Sequence, residues 1–575
     1  MGLGVLDDRK LDHVPGTAFV VDDESRRAEE DITIDPNLKY DTSGPVPIIL
    51  VPQPSDDPND PLNWPLWKRD MILFILSLLG VIVSTLSPIL AADSVTLALR
   101  YKRTFNDIAL LTGWHLLGVG IGGFIFVPSS RVWGKRHAFI LGTCIAIFSS
   151  AWGGASGLNY KSLLWARIFQ GVGLAPFEAL VNATVGDLYF VHERGKRMAI
   201  SNFAVFGGAF MTPVVVGKIS NTMGWQWSFY FVAIFAGALL PFLFFFCPET
   251  AYRRADNLNS DTSMELHGFR RSVVLTNAEH VNDQPDQAQV PEGGFEKGPE
   301  TTGSATHAVA NREETPKTPP PPKVTFVQSL ALFNGRKTDE YVWKLALRPL
   351  PLFLHPGILW ACLIQGALIG WTVFIGIVLA AIMLGPPLFF NEVKTGYMYT
   401  SAFVGAVVGF ALSGLLSDST ASWMTRKNRG VFEPEFRLVL VIPQLILGCI
   451  GLYGFGITSN DTYRYGWFWP DFFFAFEVAG MVIGAVASSL YVVDAHRNIA
   501  VEAFTCMMIF KNVFSFGLTF SGYQWLVIGG IKQVFIAIAS VQVGICLLSV
   551  PMYFFGKKNR SFFARYDILK ILHLW

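Results

Sequence analysis

Long apolar runs alternate with short polar segments along most of the chain. Twelve of these runs hold about 20 or more mostly apolar residues, the length that lets a helix cross a bilayer. They lie near residues 70–92, 107–128, 137–156, 162–187, 197–217, 225–247, 356–384, 396–416, 436–457, 467–494, 503–528 and 532–555. An even number of crossings returns the chain to its starting side. The pattern therefore predicts an all-α membrane protein with both termini on one side.

The polar segments divide the runs into two groups of six. Residues 1–66 are polar and rich in Asp and Pro, which predicts a disordered arm. Residues 249–350 are typical of a flexible linker, with short helices expected near Val324–Phe333 and Glu340–Ala346. The predicted domains are a cytoplasmic arm (1–66), an N-terminal six-helix half (67–248), a cytoplasmic linker (249–350), a C-terminal six-helix half (351–555) and a cytoplasmic tail (556–575).

Charged side chains are scarce, and their placement indicates an orientation. Only 15% of the residues are charged, against about 25% in a typical soluble domain. The net charge of +1 gives no reason to expect a nucleic-acid partner. Four clusters of cations fall on one side, which the positive-inside rule places in the cytoplasm, whereas Arg100, Lys102 and Arg103 fall on the other. The four clusters are Arg131/Lys135/Arg136, Arg194/Lys196/Arg197, Arg426/Lys427/Arg429 and Lys557/Lys558/Arg560.

Other kinds of chemistry leave few signals. All six cysteines fall in apolar runs, where scattered thiols are typically packing residues, and their spacing predicts neither a disulfide framework nor a zinc site. The sequence has no Walker loop, catalytic triad or metal-ligand spacing, so we expect no enzyme, no ATP-driven pump, no cofactor and no metal. Asn460-Asp461-Thr462 is a sequon in a predicted outer loop, which makes Asn460 a predicted glycosylation site.

The two groups of runs are similar to each other. When Asp187 is aligned with Asp494, both at helix ends, other polar and small residues coincide. These pairs are Gln170 with Glu477 and Gly173 with Gly480, while alignment of Gly122 with Gly409 brings Arg131 onto Asp418. Two related six-helix halves that face each other predict a binding cavity near the middle of the membrane.

Several motifs then match one known family. They are the glycine-basic-basic loop Gly134-Lys135-Arg136, the Arg-x-x-Gln-Gly-x-Gly pattern from Arg167 to Gly173, and a partial Gly-x-x-x-Gly-Pro-x-x-Gly-Gly motif with Gly208, Pro213 and Gly217. On these motifs the chain resembles the major facilitator superfamily over nearly the whole membrane portion. The stretches 60–65, 187–195 and 433–438 are similar to a fungal branch of twelve-spanner drug:proton antiporters, near the group that includes polyamine and histidinol carriers.

The chain also departs from the family pattern. Arg131 stands where the family usually has Asp, and Thr212 and Val216 replace two glycines of the fifth-helix motif. Because the exporter signature is degraded, the sequence leaves the direction of transport open.

Ionisable residues deep in the apolar runs mark the candidate chemistry. A charge at the centre of a membrane helix costs roughly 2.5–3.5 kcal/mol on insertion scales, so such groups normally face a cavity or a partner. Glu178 and Glu477 are candidate proton carriers or anchors for a cation, although Arg167 or Lys511 could instead neutralise them structurally. We expect Asp93, Asp471 and Glu502, near helix ends, to be exposed. The predicted substrate and proton site comprises Glu178, Glu477, Arg167, Gln170, Phe177, Trp371 and Tyr491.

A second predicted site is a charge network at the cytoplasmic helix ends. Asp187 lies near the basic loop of Arg131 and Arg136, and Asp494 lies near Arg426 and Arg497. The family resemblance implies that such groups latch the cytoplasmic faces together and bias a two-state equilibrium. The predicted latch residues are Arg131, Gly134, Arg136, Asp187, Asp418 and Asp494, with Arg131 and Arg136 expected to bind Asp187.

These patterns predict a secondary active transporter that moves a small organic molecule by alternating access coupled to protons. The resemblance to the antiporter branch makes efflux of a drug or secondary metabolite the leading prediction. The two buried carboxylates and the degraded fifth-helix motif make proton-coupled uptake of a cation such as a polyamine the alternative. A transporter-like nutrient sensor is a third reading, of another class. We expect a monomer in the lipid bilayer of the plasma membrane, or alternatively of the vacuole, with a small molecule and protons as partners.

Overall fold

The computed structural model of the chain describes residues 3–7, 10–11, 14–19, 39–41, 48–50, 52–253, 322–428, 431–496 and 499–574. Eleven helical stretches of these residues are long and apolar enough to cross a membrane. A further helix, α1, carries Lys68, Arg69 and Asp70 in its first turns and is apolar beyond them. With α1, the described helices supply one crossing for each of the twelve apolar runs.

The N-terminal half contains seven helices. They are α1 (Leu66–Ser84), α2 (Ser94–Tyr101), α3 (Phe105–Trp133), α4 (Arg136–Ala155), α5 (Tyr160–Leu188), α6 (Val191–Met223) and α7 (Trp225–Phe246). The short helix α2 follows the first crossing, and the other six helices are the crossings themselves.

The rest of the described chain contains thirteen helices, several of them short. They are α8 (Phe326–Ser329), α9 (Val342–Leu347), α10 (Pro349–Leu352), α11 (Pro356–Leu384), α12 (Glu392–Met398), α13 (Thr400–Lys427), α14 (Val441–Asn460), α15 (Thr462–Tyr465), α16 (Phe468–Ala495), α17 (Ala500–Gly529), α18 (Ile531–Leu547), α19 (Ser549–Arg565) and α20 (Ile568–Ile571). Two 3-10 helices span Pro61–Asn63 and Pro434–Leu440. The strands are β1 (Ala18–Phe19), β2 (Tyr40–Asp41), β3 (Ile48–Ile49) and β4 (Val431–Phe432).

The same packing scheme occurs in both halves. In the first half α5 packs between α3 and α4, α4 contacts α7, and α1 contacts α5 and α6. In the second half α16 packs between α13 and α14, α14 contacts α18, and α11 contacts α16 and α17. The halves meet where α3 packs on α17 and where α6 packs on α12 and α13. This repeat of helix contacts matches the internal similarity of the sequence.

Local signals explain several helix boundaries. Thr104 and Asp107 form a capping box at the start of α3, where the Thr104 side chain accepts from the Asp107 amide at 3.2 Å. Gly134 ends α3 with φ of +92°, a conformation that favours glycine. Asn159 caps α5 by accepting from the Ser162 amide at 3.2 Å.

Each crossing reverses the direction of the chain, which gives the molecule two faces. We call the face that bears the start of α1 and the end of α19 the terminal face, and the other the opposite face. At the terminal face the Leu6 amide donates to the Phe554 carbonyl at 3.0 Å, so the two ends of the chain meet. The described residues of the four basic clusters lie near helix ends on this side.

The described parts of the arm make specific contacts. The sequence predicts disorder throughout residues 1–66, and that prediction is wrong for these parts. Val5 is buried against Met424 and Phe436, and β1 pairs antiparallel with β4. Burial of apolar side chains and main-chain pairing offset the entropy cost of ordering this segment. In the linker, α8 and α9 occupy the two stretches for which short helices are predicted, and residues 254–321 lie outside the described residues.

Candidate functional site

A central cavity of about 190 Å³ lies between the two halves. Helices α1, α3, α5 and α6 line it from the first half, and α11, α16 and α17 line it from the second. Most of its wall is apolar, and its aromatic side chains are Phe206, Phe210, Tyr399 and Phe474. The polar lining residues are Ser84, Ser87, Ser94, Thr112, Glu178, Thr372, Lys511, Asn512 and Ser515. The cavity suits a small organic molecule with a mainly apolar body.

One ion pair crosses the cavity wall from half to half. The Lys511 ammonium of α17 donates to the carboxylate of Glu178 on α5. The two side chains are 11% and 24% exposed, so both remain reachable from the cavity. The sequence leaves open whether Arg167 or Lys511 neutralises a buried carboxylate, and in the structure Lys511 is the partner of Glu178. A proton or a charged substrate that alters this pair therefore acts on both halves at once.

Glu477 lies behind the cavity wall. Its carboxylate is fully buried, and Oε1 accepts a hydrogen bond from the Thr372 hydroxyl at 2.8 Å. Among the described residues, Oε2 has no hydrogen-bond partner. Thr372 itself lines the cavity, so one hydroxyl separates Glu477 from the cavity. This position fits a group that is reached only when the wall moves.

Arg167 and Gln170 form a packing node away from the cavity. The Arg167 guanidinium is fully buried and donates to the carbonyls of Leu86 (2.5 Å) and Leu111 (3.3 Å) and to Gln170 Oε1 (2.8 Å). Gln170 Nε2 in turn donates to the Ser149 carbonyl at 3.1 Å. Because carbonyl and amide oxygens satisfy the cation, these two residues tie together α3, α4, α5 and the end of α1. Neither contacts the cavity, so their predicted place in it is wrong.

The three predicted cavity aromatics also lie elsewhere. Phe177 packs on Phe139 with ring centroids 5.6 Å apart. Trp371 Nε1 donates to Gln542 Oε1 at 3.2 Å, and Tyr491 packs on Trp360 at 5.1 Å. The helical rotation of about 100° per residue explains the error for Phe177, because its neighbour Glu178 is the one that faces the cavity.

Three acidic residues near helix ends are less exposed than their position predicts. Asp93 is 1% exposed and Glu502 is 4% exposed. Asp471 is half-buried and accepts a hydrogen bond from the Ser401 hydroxyl at 2.8 Å. Contacts with distant helices contribute to this burial, such as Ser401 of α13 for Asp471 and Arg131 of α3 for Glu502, and no local pattern in the sequence indicates them.

At the terminal face, the predicted partners of the basic loop are wrong. Arg131 Nη1 pairs with Glu502 Oε1 at 2.7 Å and so links the two halves. Lys135 Nζ, rather than Arg131 or Arg136, pairs with Asp187 Oδ2 at 2.5 Å, within the first half. Arg136 donates to main-chain carbonyls, including that of Phe244 at 2.7 Å. The basic loop is therefore linked to the second half through Arg131 and Glu502.

Gly134 makes room for a carboxylate in the same loop. The carboxylate of Glu249 accepts from the amides of Lys135 (2.9 Å) and Arg136 (3.0 Å), and a Cβ on Gly134 would collide with it. The loop thus holds the start of α4 against the end of α7.

The second half has a corresponding network with another arginine. Arg437 Nε pairs with Asp494 Oδ2 at 3.0 Å, and Arg437 Nη1 lies 3.7 Å from Asp418, whose side chain is 87% exposed. Arg437, from the 433–438 motif, thus takes the place predicted for Arg426 beside Asp494. The other predicted partner, Arg497, lies outside the described residues.

The fifth-helix motif lies on α6, where the halves come close. Pro213 lines the cavity. A Cβ on Gly208 would approach Val81 of α1 at 2.9 Å, and one on Gly217 would approach the Glu392 carbonyl of α12 at 2.5 Å. These glycines allow α6 to touch helices of both halves.

Comparisons with known proteins agree with this architecture. The chain is 26% identical to Protein HOL1 of Saccharomyces cerevisiae, over 97% of each chain. It is 22% identical to the multidrug transporter TPO1_2 of Candida glabrata, over 88% of this chain and 79% of the relative. The crystal structure of a D-xylose-proton symporter superposes with a TM-score of 0.54 at 14% identity, over 84% of this chain and 97% of the symporter.

The family model for the Major Facilitator Superfamily matches residues 71–517, which include most of both halves. The low identity to the symporter supports the fold alone, whereas the family match spans well over half of the chain. The chain therefore belongs to the Major Facilitator Superfamily and is a transporter of the fungal type.

Proposed function

We propose that this transporter couples the movement of a small organic molecule to protons by alternating access. The observation that carries the proposal is the ion pair between Glu178 and Lys511, one from each half, in the wall of the central cavity. A charge in such a place is costly unless it is paired or neutralised. Any event that breaks the pair changes the balance between the states in which the halves are together or apart.

Protonation of Glu178 is the simplest such event. The neutral carboxyl no longer attracts the Lys511 ammonium, so α5 and α17 can separate and the ammonium can meet another acceptor. Loss of the proton on the other side of the membrane restores the pair. Glu477, buried behind Thr372 with one oxygen unpartnered, is a second proton acceptor in this scheme.

Efflux of a drug or secondary metabolite is the leading form of the proposal. The cavity wall is mostly apolar, with four aromatic rings, and this suits a hydrophobic compound. One relative is named a multidrug transporter, which favours the same substrate class here.

Uptake of a cation such as a polyamine is a second candidate, favoured by the acidic groups. Glu178 lines the cavity, Glu477 lies behind it, and Asp93 adjoins the lining residue Ser94. Lys511 is the cation among the cavity residues of the described chain. A substrate with two or more ammonium groups on an apolar chain matches such an excess of carboxylates.

The placement of the charges supports an orientation for the protein. The terminal face carries the basic clusters, so we assign it to the cytoplasm, with the plasma membrane as the expected location and the vacuolar membrane as the alternative. Asn460 is exposed at the opposite face, at the end of α14. Its glycosylation would support this orientation, and mass measurement after enzymatic deglycosylation would test it.

The decisive experiment measures two kinds of transport in the same cells. Cells with and without the gene are compared for uptake of labelled spermidine and for retention of a panel of hydrophobic compounds, each before and after addition of a protonophore. Lower retention supports efflux, and higher spermidine uptake supports the second candidate. Gradient-dependent activity that is lost in Glu178→Gln and kept in Asp461→Asn, an exposed carboxylate at the opposite face, supports the coupling role. Transport that is unchanged by the protonophore contradicts it.

A further inference from the structure

Asp93 is a buried carboxylate that has no part in the proton exchange described for Glu178 and Glu477. It precedes α2, where the first half meets the second at the opposite face, and it is 1% exposed. Neither of its carboxylate oxygens has a hydrogen-bond partner among the described residues. Although Asp93 holds the N-cap position of α2, its side chain does not cap the helix. A side chain in this position serves neither packing nor capping in an obvious way.

The contact around Asp93 joins the two halves. Next to it on α2, the Thr96 hydroxyl donates to Glu392 Oε1 on α12 at 2.6 Å. On the same side, α12 packs against α6, where a Cβ on Gly217 would approach the Glu392 carbonyl at 2.5 Å. If the halves part at the opposite face, α2 and α6 must leave α12. Asp93 therefore lies at a contact that forms and breaks in alternating access.

The groups that face Asp93 offer it no positive charge. They are the Ser220 hydroxyl from α6 and the Glu392 carboxylate from α12. Lys218 of α6 is exposed, and the Lys394 ammonium of α12 lies 5.6 Å from the ring centre of Phe390. Helix α11, which also packs on α2, has no acidic or basic side chain apart from the thiol of Cys362. Helix α3 packs on α2 as well. Its Asp107 accepts from the Thr104 amide at 3.1 Å, its His115 is fully buried, and its Arg131 pairs with Glu502 at the terminal face. An ionised Asp93 would thus be buried without a counter-ion and would repel Glu392.

Electrostatics then ties the charge of Asp93 to the position of the halves. A buried carboxylate without a partner is strongly unfavourable when ionised, and the neutral acid is favoured instead. Two carboxylates on opposing surfaces also favour a proton on one of them. Parting of α2 from α12 would bring water to Asp93 and remove both effects, so the open face favours the ionised form.

We propose that Asp93, facing Glu392, is a proton-binding site of this transporter, separate from the pair of Glu178 and Lys511. A proton bound there holds the two halves together at the opposite face and is released to that side when the halves part. The ligand is the proton itself, and no covalent chemistry is involved. The inference rests on alternating access in the proposed function, but not on the identity of the substrate.

The test is a distance measurement across the contact as a function of pH. Leu99 of α2 is 77% exposed and Tyr397 of α12 is 49% exposed, so Leu99→Cys and Tyr397→Cys supply sites for spin labels. Cys144→Ala removes the half-buried native thiol, while the other five cysteines are buried. The labelled protein is placed in lipid nanodiscs, and double electron-electron resonance gives the distance distribution from about pH 5 to about pH 8. This range lies above the ordinary pKa of an Asp carboxyl and covers a raised one.

We expect the short distance to dominate in acid and a longer one to gain population as the pH rises. Asp93→Asn, which imitates the protonated acid, should keep the short distance at every pH and so lose the response. Glu392→Gln should move the midpoint to lower pH, because a repelling charge is removed. Asp461→Asn, exposed on the same face, should leave the wild-type response unchanged.

A wild-type distance that does not respond to pH, or an Asp93→Asn variant that responds as the wild type does, would overturn the proposal. If Asp93→Asn does not fold, the Glu392→Gln midpoint decides: an unshifted midpoint is equally adverse. Failure of the proposed function is seen separately. In that case cellular transport ignores the protonophore, while the distance measurement needs no substrate and no gradient.

Discussion

At the scale of single residues, the structure satisfies charges deep in the membrane helices in two different ways. Glu178 and Lys511 were both identified by depth, and the structure joins them across the cavity. Arg167 has the same sequence signature, yet carbonyl oxygens surround it. The difference is the rotation of each helix about its axis, which a nearly uniform apolar run does not specify.

The ion pair of Glu178 and Lys511 predicts that substitutions of the two residues have non-additive effects on stability. Removal of one partner of a buried ion pair costs about 3–5 kcal/mol, whereas replacement of both is often close to neutral. Because both side chains are partly exposed to the cavity, we expect the loss for this pair to lie near the lower end of that range. Lys511→Met and Glu178→Gln should each lower the thermal unfolding midpoint, and the double variant should lose less than the two single losses combined. A thiol-reactive dye can measure unfolding, because five of the six cysteines are buried in the native protein.

The matched control for this comparison of single and double variants is Lys558→Met, which removes an exposed lysine of α19. It should leave the midpoint unchanged and should add no coupling to Glu178→Gln. Strictly additive losses for Glu178 and Lys511 would show that the two charges contribute independently to stability.

At the scale of elements, the apolar runs located the crossing helices, but proline and glycine decided where several of them end. The first run extends to residue 92, whereas α1 ends at Ser84, since Pro88 lacks an amide proton and disfavours helix in the residue before it. The eighth run begins near 396, but the structure divides that region into α12 and α13. The small helix α12 is what meets α6 at the opposite face.

The contact between α6 and α12 predicts a strong effect of one methyl group. A Cβ on Gly396 would collide with the carbonyl oxygen of Pro213. Overpacking of this kind typically costs about 1–3 kcal/mol, so Gly396→Ala should disfavour the state in which the helices touch and should slow transport. Unfolding midpoints and initial transport rates in proteoliposomes measure the two consequences.

Gly237→Ala on α7 is the matched control, because a Cβ there meets no atom within 4 Å. Relief of the glycine entropy cost should make it neutral or stabilising by up to about 1 kcal/mol. If both variants behave alike, the close approach of α6 and α12 has no role in the cycle.

At the scale of the whole molecule, the twofold repeat could be predicted, and the long-range contacts that build the terminal face could not. The repeat is visible in the sequence because similar residues occupy corresponding helix ends, such as Asp187 and Asp494. The terminal face instead brings together chain segments hundreds of residues apart, for which a single sequence gives no register. Arg560 is an example: it pairs with Glu435 at 2.7 Å and Glu433 at 2.9 Å, and also donates to the carbonyl of Pro15.

This cluster holds the described N-terminal residues 3–7 and 14–19 on the second half. Lys557 pairs with both Glu433 (2.7 Å) and Asp7 (3.0 Å), and its hydrogen bond lowers the pKa of Asp7. Thr17 donates to Glu433 at 2.8 Å. The segment therefore depends on charges that the C-terminal helix α19 supplies.

Arg560→Met should both destabilise the protein and free this segment. It leaves the carboxylates of Glu433 and Glu435 buried without the positive charge of Arg560. We expect the free energy of unfolding to fall by about 3–5 kcal/mol. Limited proteolysis should cleave the chain before residue 20 faster than in the wild type, and the unfolding midpoint should fall. Lys558→Met, which changes an exposed neighbour, should alter neither the cleavage rate nor the unfolding midpoint. If the N-terminal segment of the Arg560→Met variant is as protected from proteolysis as that of the wild type, the charge cluster does not hold the segment in place.

The bond between Arg131 and Glu502 joins the halves at the terminal face through opposite charges, and it leads to a prediction about rate. Arg131→Asp would place two carboxylates together where an ion pair was, which disfavours the state closed at this face. Since the cavity is formed by other residues, turnover should fall severalfold and the substrate profile should stay the same; coupling of this kind is typically worth about 1–3 kcal/mol. The turnover of Arg131→Gln should lie between those of Arg131→Asp and the wild type. Arg100 is an exposed arginine of the opposite face, so Arg100→Asp should have little effect on turnover. Transport rates for several substrates at saturation test this ordering, and a changed substrate profile at normal turnover would mean that Arg131 acts on the cavity rather than on the equilibrium between states.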